Sequence, residues 1–360
     1  MKTVEKREKI SVRQICFILI AYNACTKLLL YPSLAADRVG NALIFSALFN
    51  LALQTVIIWS VSFLSSRTDK SFFELLQNTF GNVTARIIYA LFALYFLASA
   101  VIPVNEQELF VHSAFYDTMP VLVVFLPFFI FSVYAGVKSY TNVGRCADIC
   151  FPIFIVTVSA FLIMSVTQAD YSNLLPVLKQ PFKTVAGFSL ASCFRFSESA
   201  FLLMFMGHFK YKKGDAAKLT LSYAAGGLVV LAIIGTFFAL YGPLAITRTF
   251  AIDSISVFFP VINFTGRVDL FFVYAFDLVV LFAIVLNIQA CVHCLCLVFN
   301  KNWRVLYSLI VNGVLLTFIV LANNHYNLLQ QTAAKGLWIP ALLFAYLIPV
   351  LAWTLRRREK

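Results

Sequence analysis

Lys27, Arg195 and Glu198 lie inside two strongly apolar runs of the chain. A charge at the centre of a membrane-crossing helix costs about 2.5–3.5 kcal/mol on insertion scales. Side chains that bear this cost face a helix bundle or a wet cavity rather than lipid. Arg195 and Glu198 are three residues apart, so on a continuous helix they share a face. They form either an internal salt bridge or a cavity-lining pair able to exchange partners with a ligand. Lys27 either faces the same cavity or snorkels towards the nearer surface. Further along, Asp269 and Asp277 are eight apart and near one face of a helix. Asp269 has Arg267 beside it. Asp277 is deeper, which points to proton coupling or gating. Glu106 and Glu108 sit near the end of another apolar run, where an access vestibule is expected.

Two arrangements carry less chemistry than their composition suggests. Cys291-Val292-His293-Cys294-Leu295-Cys296 has the residue types of a metal site. On a helix, however, only Cys291 and Cys294 share a face closely, and no second ligand pair follows at zinc-site spacing. All eight cysteines lie in or beside apolar runs, where a thiol acts as a small apolar residue. No P-loop, Rossmann glycine pattern or nucleophile–base motif occurs, so neither enzyme chemistry nor a cofactor is expected.

The elements that hold these residues follow from composition. Of 360 residues, 61% are hydrophobic and 12% charged, and 38 are Phe. A soluble fold cannot bury that much apolar surface. The chain therefore reads as an all-α polytopic membrane protein. Ten stretches are long enough to span a bilayer: 14–32, 42–64, 84–111, 119–135, 147–167, 185–207, 219–241, 268–298, 303–322 and 336–355. The first follows a basic leader but contains Lys27 and is followed by nine more, so it is read as a retained span rather than a signal peptide.

The net charge is +12, which raises the question of nucleic acid. Placement of the charge answers it. With a cytoplasmic N-terminus, twenty of the 28 Lys and Arg fall in inside segments, six fall outside, and Lys27 and Arg195 are within spans. That asymmetry follows the positive-inside rule and puts both termini in the cytoplasm. The basic residues thus mark loops and lipid headgroups, not a nucleic-acid face. Ten spans divide into five and five, a cytoplasmic tail at 1–13, one repeat at 14–167 and an inverted second at 185–355, all in one membrane domain. In such folds the first helix of each half is often broken at midplane, where ligand binds. Here these are spans 1 and 6. Their polar residues Asn23, Cys25, Thr26, Lys27, Ser192, Arg195, Ser197 and Glu198 are the candidate ligand contacts. Asp277, Asp269 and Glu106 are candidates for coupling or gating.

Several stretches then resemble one family in order and spacing: Ile10-Ser11-Val12-Arg13-Gln14, Leu28-Leu29-Leu30-Tyr31-Pro32, Gly136 to Arg145 followed by Phe151-Pro152, and Gly266-Arg267-Val268-Asp269-Leu270-Phe271-Phe272. The chain resembles the spore germination receptor B subunits, permease-like members of the amino acid–polyamine–organocation superfamily. The resemblance implies a LeuT-like fold with helices 1 and 6 discontinuous, and a nutrient, usually an amino acid, held between the breaks. It implies two partners, a larger membrane subunit and a lipoprotein, in the inner membrane of a dormant spore. Proton-coupled or exchange transport of an amino acid or organic cation is the alternative on the same fold. Aligned on Pro32, a Gly-x-Gly element common in permease-like relatives falls at Cys25 and Lys27. The Lys27 amine is then expected to supply charge where glycine backbone would otherwise approach a carboxylate. Glu198 matches the family's acidic position in helix 6.

Overall fold

The computed structural model describes residues 10–115, 120–176, 179–257, 268–322 and 336–357. The chain begins with a capping box: Ser11 accepts from the backbone of Gln14, and the Gln14 side chain accepts from Ser11 N. This satisfies two of the free N–H groups that every helix start exposes. Helix α1 follows over Val12–Cys25. It stops at Thr26, and α2 begins at Tyr31 and runs to Val39. The sequence reading ended the first span at Pro32. Pro32 instead sits in the first turn of α2, where its missing N–H costs nothing and its fixed φ suits a helix start. The span therefore continues to Val39, and α3, Leu43–Ser65, follows after a 3-10 turn at Gly40–Ala42.

A second capping box, Ser71 with Glu74, opens the short α4, Phe72–Phe80. Then come α5, Asn82–Phe115, α6, Val121–Val137, and α7, Tyr140–Val166. The second break lies between α8, Phe182–Ala191, and α9, Glu198–Phe205; the two halves are bent by 46°. The remaining helices are α10 (Asp215–Tyr241), α11 (Ala251–Ser256), α12 (Val268–Phe299) and α13 (Arg304–Ala322). The last apolar stretch is α14, Trp338–Ala341, a π-helical segment Leu342–Leu347, and α15, Ile348–Arg357.

Six of these helices are long and apolar enough to cross a membrane, and the bent pair α8–α9 makes a seventh. Shorter apolar helices at Val12–Cys25, Val123–Val137 and Trp338–Ala352 occupy the other expected stretches. Large apolar side chains such as Phe49, Trp59, Leu94, Ile130 and Ile163 point outward on the long helices. That is the reverse of a soluble surface and fits a lipid-facing one.

The core is built by close helix approach. Helix α1 packs on α10, α10 on α3, and α12 along α5. At Gly226 of α10, an added Cβ would lie 2.9 Å from the Ile20 carbonyl oxygen. Only glycine lets these two backbones come so near, the usual device for packing helices in lipid.

Candidate functional site

The two broken helices face each other, and side chains bridge them at each level. Lys27 has no exposed surface. Its Nζ donates to Asn23 O at 2.9 Å, to Asn23 Oδ1 at 2.8 Å and to Glu198 Oε1. The ammonium also lies 4.9 Å from the centre of the Phe196 ring. Glu198 Oε2 accepts from the Tyr223 hydroxyl at 3.1 Å, and Asn23 Nδ2 donates to Tyr223 O at 3.0 Å. Lys27 and Glu198 are therefore a fully buried, fully hydrogen-bonded ion pair that ties the first break to the start of α9. Lys27 does not snorkel.

The expected Arg195–Glu198 pairing is corrected by the same geometry. Residues 193–195 form a 3-10 turn, and α9 begins only at Glu198. The shared helix face assumed from spacing does not exist across the break. Arg195 turns instead to α5, where its guanidinium grips Glu106: Nη1 donates to Oε2 at 3.3 Å and Nη2 to Oε1 at 2.5 Å. Such a two-pronged carboxylate contact is the strongest geometry available to arginine. Both side chains are nearly inaccessible.

Backbone groups freed by the second break are taken up by neighbours. The Gln54 amide, turned with its oxygen towards α9, accepts from Glu198 N at 3.1 Å and Ser199 N at 3.0 Å. Tyr346, on the π-helical segment, donates to Phe196 O at 2.9 Å. The Ser199 hydroxyl donates to Ala345 O. Ser192 stays close to Asn50, whose Nδ2 also donates to Ser189 O at 2.9 Å. Unwound backbone at membrane depth persists only where buried protein groups satisfy it in this way.

The first break forms without glycine at Cys25 or Lys27. Thr26 and Leu30 keep right-handed backbone angles. Asn300 is the only non-glycine residue with positive φ among the described residues. The break thus consists of a helix that stops and restarts, with no left-handed residue in it.

Between the two breaks, α5 and α12 enclose a small cavity of about 30 Å3. Thr26, Arg195 and Ser197 are on its wall, as the sequence reading expected of ligand contacts. Tyr22, Tyr95, Ser99 and Asn287 complete its polar lining and were missed. Tyr22 donates to Asn287 Oδ1 at 2.8 Å. The Tyr95 hydroxyl is buried and makes no well-formed hydrogen bond among the described residues. Their sequence signal was the scatter of hydroxyls and amides in otherwise apolar helices; attention to charges alone passed over it. Asn23, Cys25, Lys27, Ser192 and Glu198 are buried behind this wall rather than on it.

Of the coupling candidates, Asp277 is buried on α12, and its Oδ1 has no hydrogen-bond partner among the described residues. Asp269 falls in the first turn of α12 with its side chain outside the described ones, and Arg267 lies outside the described residues. Glu106 is the partner of Arg195. Beside it, Asn105, Gln107 and Glu108 are buried, and their side-chain polar atoms lack partners among the described residues. The His293 and Cys294 motif spreads its members. His293 packs near Tyr140 and His208, while Cys291 donates to Ala93 O at 3.3 Å and Cys294 approaches Met204.

Comparison with solved structures finds the same architecture in MhsT, solved in complex with L-phenylalanine. The TM-score is 0.67 at 13% identity, over 94% of this chain and 89% of that one. At that identity the likeness shows the fold, which is LeuT-like. Among characterised proteins, spore germination protein KB of Bacillus subtilis (strain 168) is 24% identical over 368 residues, covering 99% of this chain and 98% of the relative. The family model described as spore germination protein, Spore_permease, matches residues 9–327. The chain belongs to the permease-like spore germination protein family.

Proposed function

We propose that this protein is the membrane subunit of a spore nutrient germinant receptor and binds a small carboxylate-bearing nutrient, an amino acid by class, in the cavity between its broken helices. The observation that carries the proposal is the position of Arg195: the residue lines the cavity while its guanidinium is paired with Glu106. A ligand carboxylate arriving in the cavity competes with Glu106 for the same donors. Loss of that pair frees α5 from the second break. A ligand shifts such an equilibrium only by its different affinity for the two states, and partner exchange at Arg195 supplies that difference. The Lys27–Glu198 pair, behind the wall, holds the two breaks in register during the exchange. Tyr95, Ser99 and Asn287 offer hydrogen bonds to the rest of the ligand. The cavity is far smaller than the roughly 300–1,000 Å3 of ordinary ligand pockets. Binding an amino acid there therefore requires the cavity to expand. Partner subunits, the larger membrane protein and the lipoprotein, read that expansion.

A transport reading is favoured by one further observation, the buried Asp277 carboxylate with an unpartnered oxygen. Buried ionisable groups of this kind mark proton relays in membrane proteins. One experiment separates the readings. Spores lacking the gene are screened against single amino acids, and the purified protein in liposomes is assayed for uptake of the amino acid whose response is lost. Loss of one germination response with no uptake supports the sensor. Saturable uptake abolished by Asp277→Asn supports the transporter.

A further inference from the structure

A second and much larger cavity, of about 1030 Å3, lies away from the broken helices. Four segments distant in sequence converge on it: α4 with the start of α5, the α6–α7 junction, the chain after α9, and the α12–α13 loop. Its charged lining is one-sided. Arg86, Lys138, Lys301 and Arg304 contribute four cations against the single carboxylate of Glu74. Glu74 is already engaged as the N-terminal cap of α4, accepting from Ser71 N at 2.8 Å. Arg86 is half-buried, and its Nε is inaccessible and has no hydrogen-bond partner among the described residues.

The cavity also has an apolar side. Val305, Leu306 and Leu309 line it and are at the same time among the exposed residues of α13. Helix α13 is a membrane-span candidate of which only 33% is buried, so its outward face meets lipid. Trp303, exposed at the foot of that helix and stacked under Lys301 at 4.3 Å, has the amphipathic character of a residue at the membrane–water boundary. The turn that carries Lys301 is set by Asn300, whose φ of 53° ends α12 in the left-handed form that asparagine tolerates. Charge complementarity on one side and an opening onto an apolar helix face on the other describe one kind of molecule, an amphiphile with an anionic head.

We propose that this cavity binds the phosphate headgroup of an anionic phospholipid, with Arg86, Lys138, Lys301 and Arg304 around the phosphate and the acyl chains laid along the outer face of α13. Basic pockets between membrane helices are suited to such headgroups. The loops involved are those that the charge count assigns to the cytoplasmic side. A lipid there joins α4–α5, α6–α7 and α12–α13 at one end of the bundle.

The full chain in neutral detergent is titrated with dioleoylphosphatidylglycerol, and retained lipid is counted by native mass spectrometry. The expected result is saturable retention that exceeds that of dioleoylphosphatidylcholine by about tenfold or more in affinity. Arg86→Gln/Lys301→Gln/Arg304→Gln lowers it to the phosphatidylcholine level. Removing the same number of charges outside the cavity, Lys210→Gln/Lys212→Gln/Lys213→Gln, leaves it unchanged. If the first triple variant does not accumulate, the charge-keeping Arg86→Lys and the single Arg86→Gln take its place, with retention kept by the former and reduced by the latter. Equal retention of both lipids, or an equal loss in both triple variants, overturns the proposal. Displacement by millimolar inorganic phosphate would assign the site to free phosphate, and displacement by a poly-glutamate peptide at lower concentration than lipid would assign it to an acidic protein segment; either result overturns the lipid.

Discussion

Glu198 and Lys27 illustrate how a buried charge pair constrains its own mutants. Neither has exposed surface, and each is saturated with partners. Replacing Glu198 by Gln strands the Lys27 ammonium in a site that water does not reach. Losing one partner of a buried pair costs about 3–5 kcal/mol, whereas removing both is nearly neutral. Glu198→Gln is therefore expected to lower the unfolding temperature of the detergent-solubilised protein sharply, and Lys27→Met/Glu198→Gln to restore most of the loss. A Glu198→Gln variant as stable as the parent would contradict this pairing. The presence of buried Lys27, Arg195, Glu198 and Glu106 was legible in the sequence because charge is so rare in apolar runs. The choice among their possible pairings was not. Spacing of three residues implies contact only along an intact helix, and the helix is interrupted between Ser192 and Ser197. The partners Tyr223 and Glu106 come from α10 and α5, distances along the chain that no local pattern encodes.

At the scale of elements, the start of α9 after the second break is capped by the Gln54 amide. Gln54 of α3 covers the first N–H groups of α9, which no intrahelical carbonyl can reach. Gln54→Leu keeps the side-chain volume but removes the acceptor. The expected cost is about 1–3 kcal/mol, with faster hydrogen exchange at the Glu198 and Ser199 amides than at the middle of α9. Unchanged exchange at those amides would show that the cap is dispensable. Packing between unbroken elements has its own test. Gly226→Val would drive a side chain into the Ile20 backbone, so α1 must move off α10. Since α1 carries Tyr22 and leads into Thr26, both on the cavity wall, the variant is expected to lose ligand binding as well as stability. Helix existence was readable from apolar runs of sufficient length. The division of the first two runs was not, since Pro32 reads equally well as a helix end or a helix start, and only the return of the chain at Tyr31 decides between them.

Across the whole molecule, two groups of loops gather at separate places. Lys138, His208, Asn300 and Arg304 meet around one cavity. At another place the 3-10 turn Tyr171–Leu174 is tied to the end of α10 and the turn after α2: Asp170 N and Asn173 Nδ2 donate to Ala239 O, and Asn41 Nδ2 donates to Asn173 O. The charge count assigns the first group to the cytoplasm and the second to the opposite face. Single cysteines at Lys212 and Asn302 are accordingly expected to react with an impermeant maleimide only after the membrane is opened, and one at Ser172 to react from outside. Labelling of Lys212 and Ser172 positions from the same side would overturn that orientation. Ligand recognition in the small cavity rests on Arg195, and equilibrium binding reports on that contact. Each of the twenty amino acids and its carboxamide is tested by equilibrium dialysis against the purified chain, parent and Arg195→Gln. The account predicts that at least one amino acid binds the parent about tenfold or more tighter than its amide, the order expected for one charge-assisted contact, and that Arg195→Gln removes the difference. Equal binding of acid and amide by the parent, or a preference for the acid that survives Arg195→Gln, would contradict it.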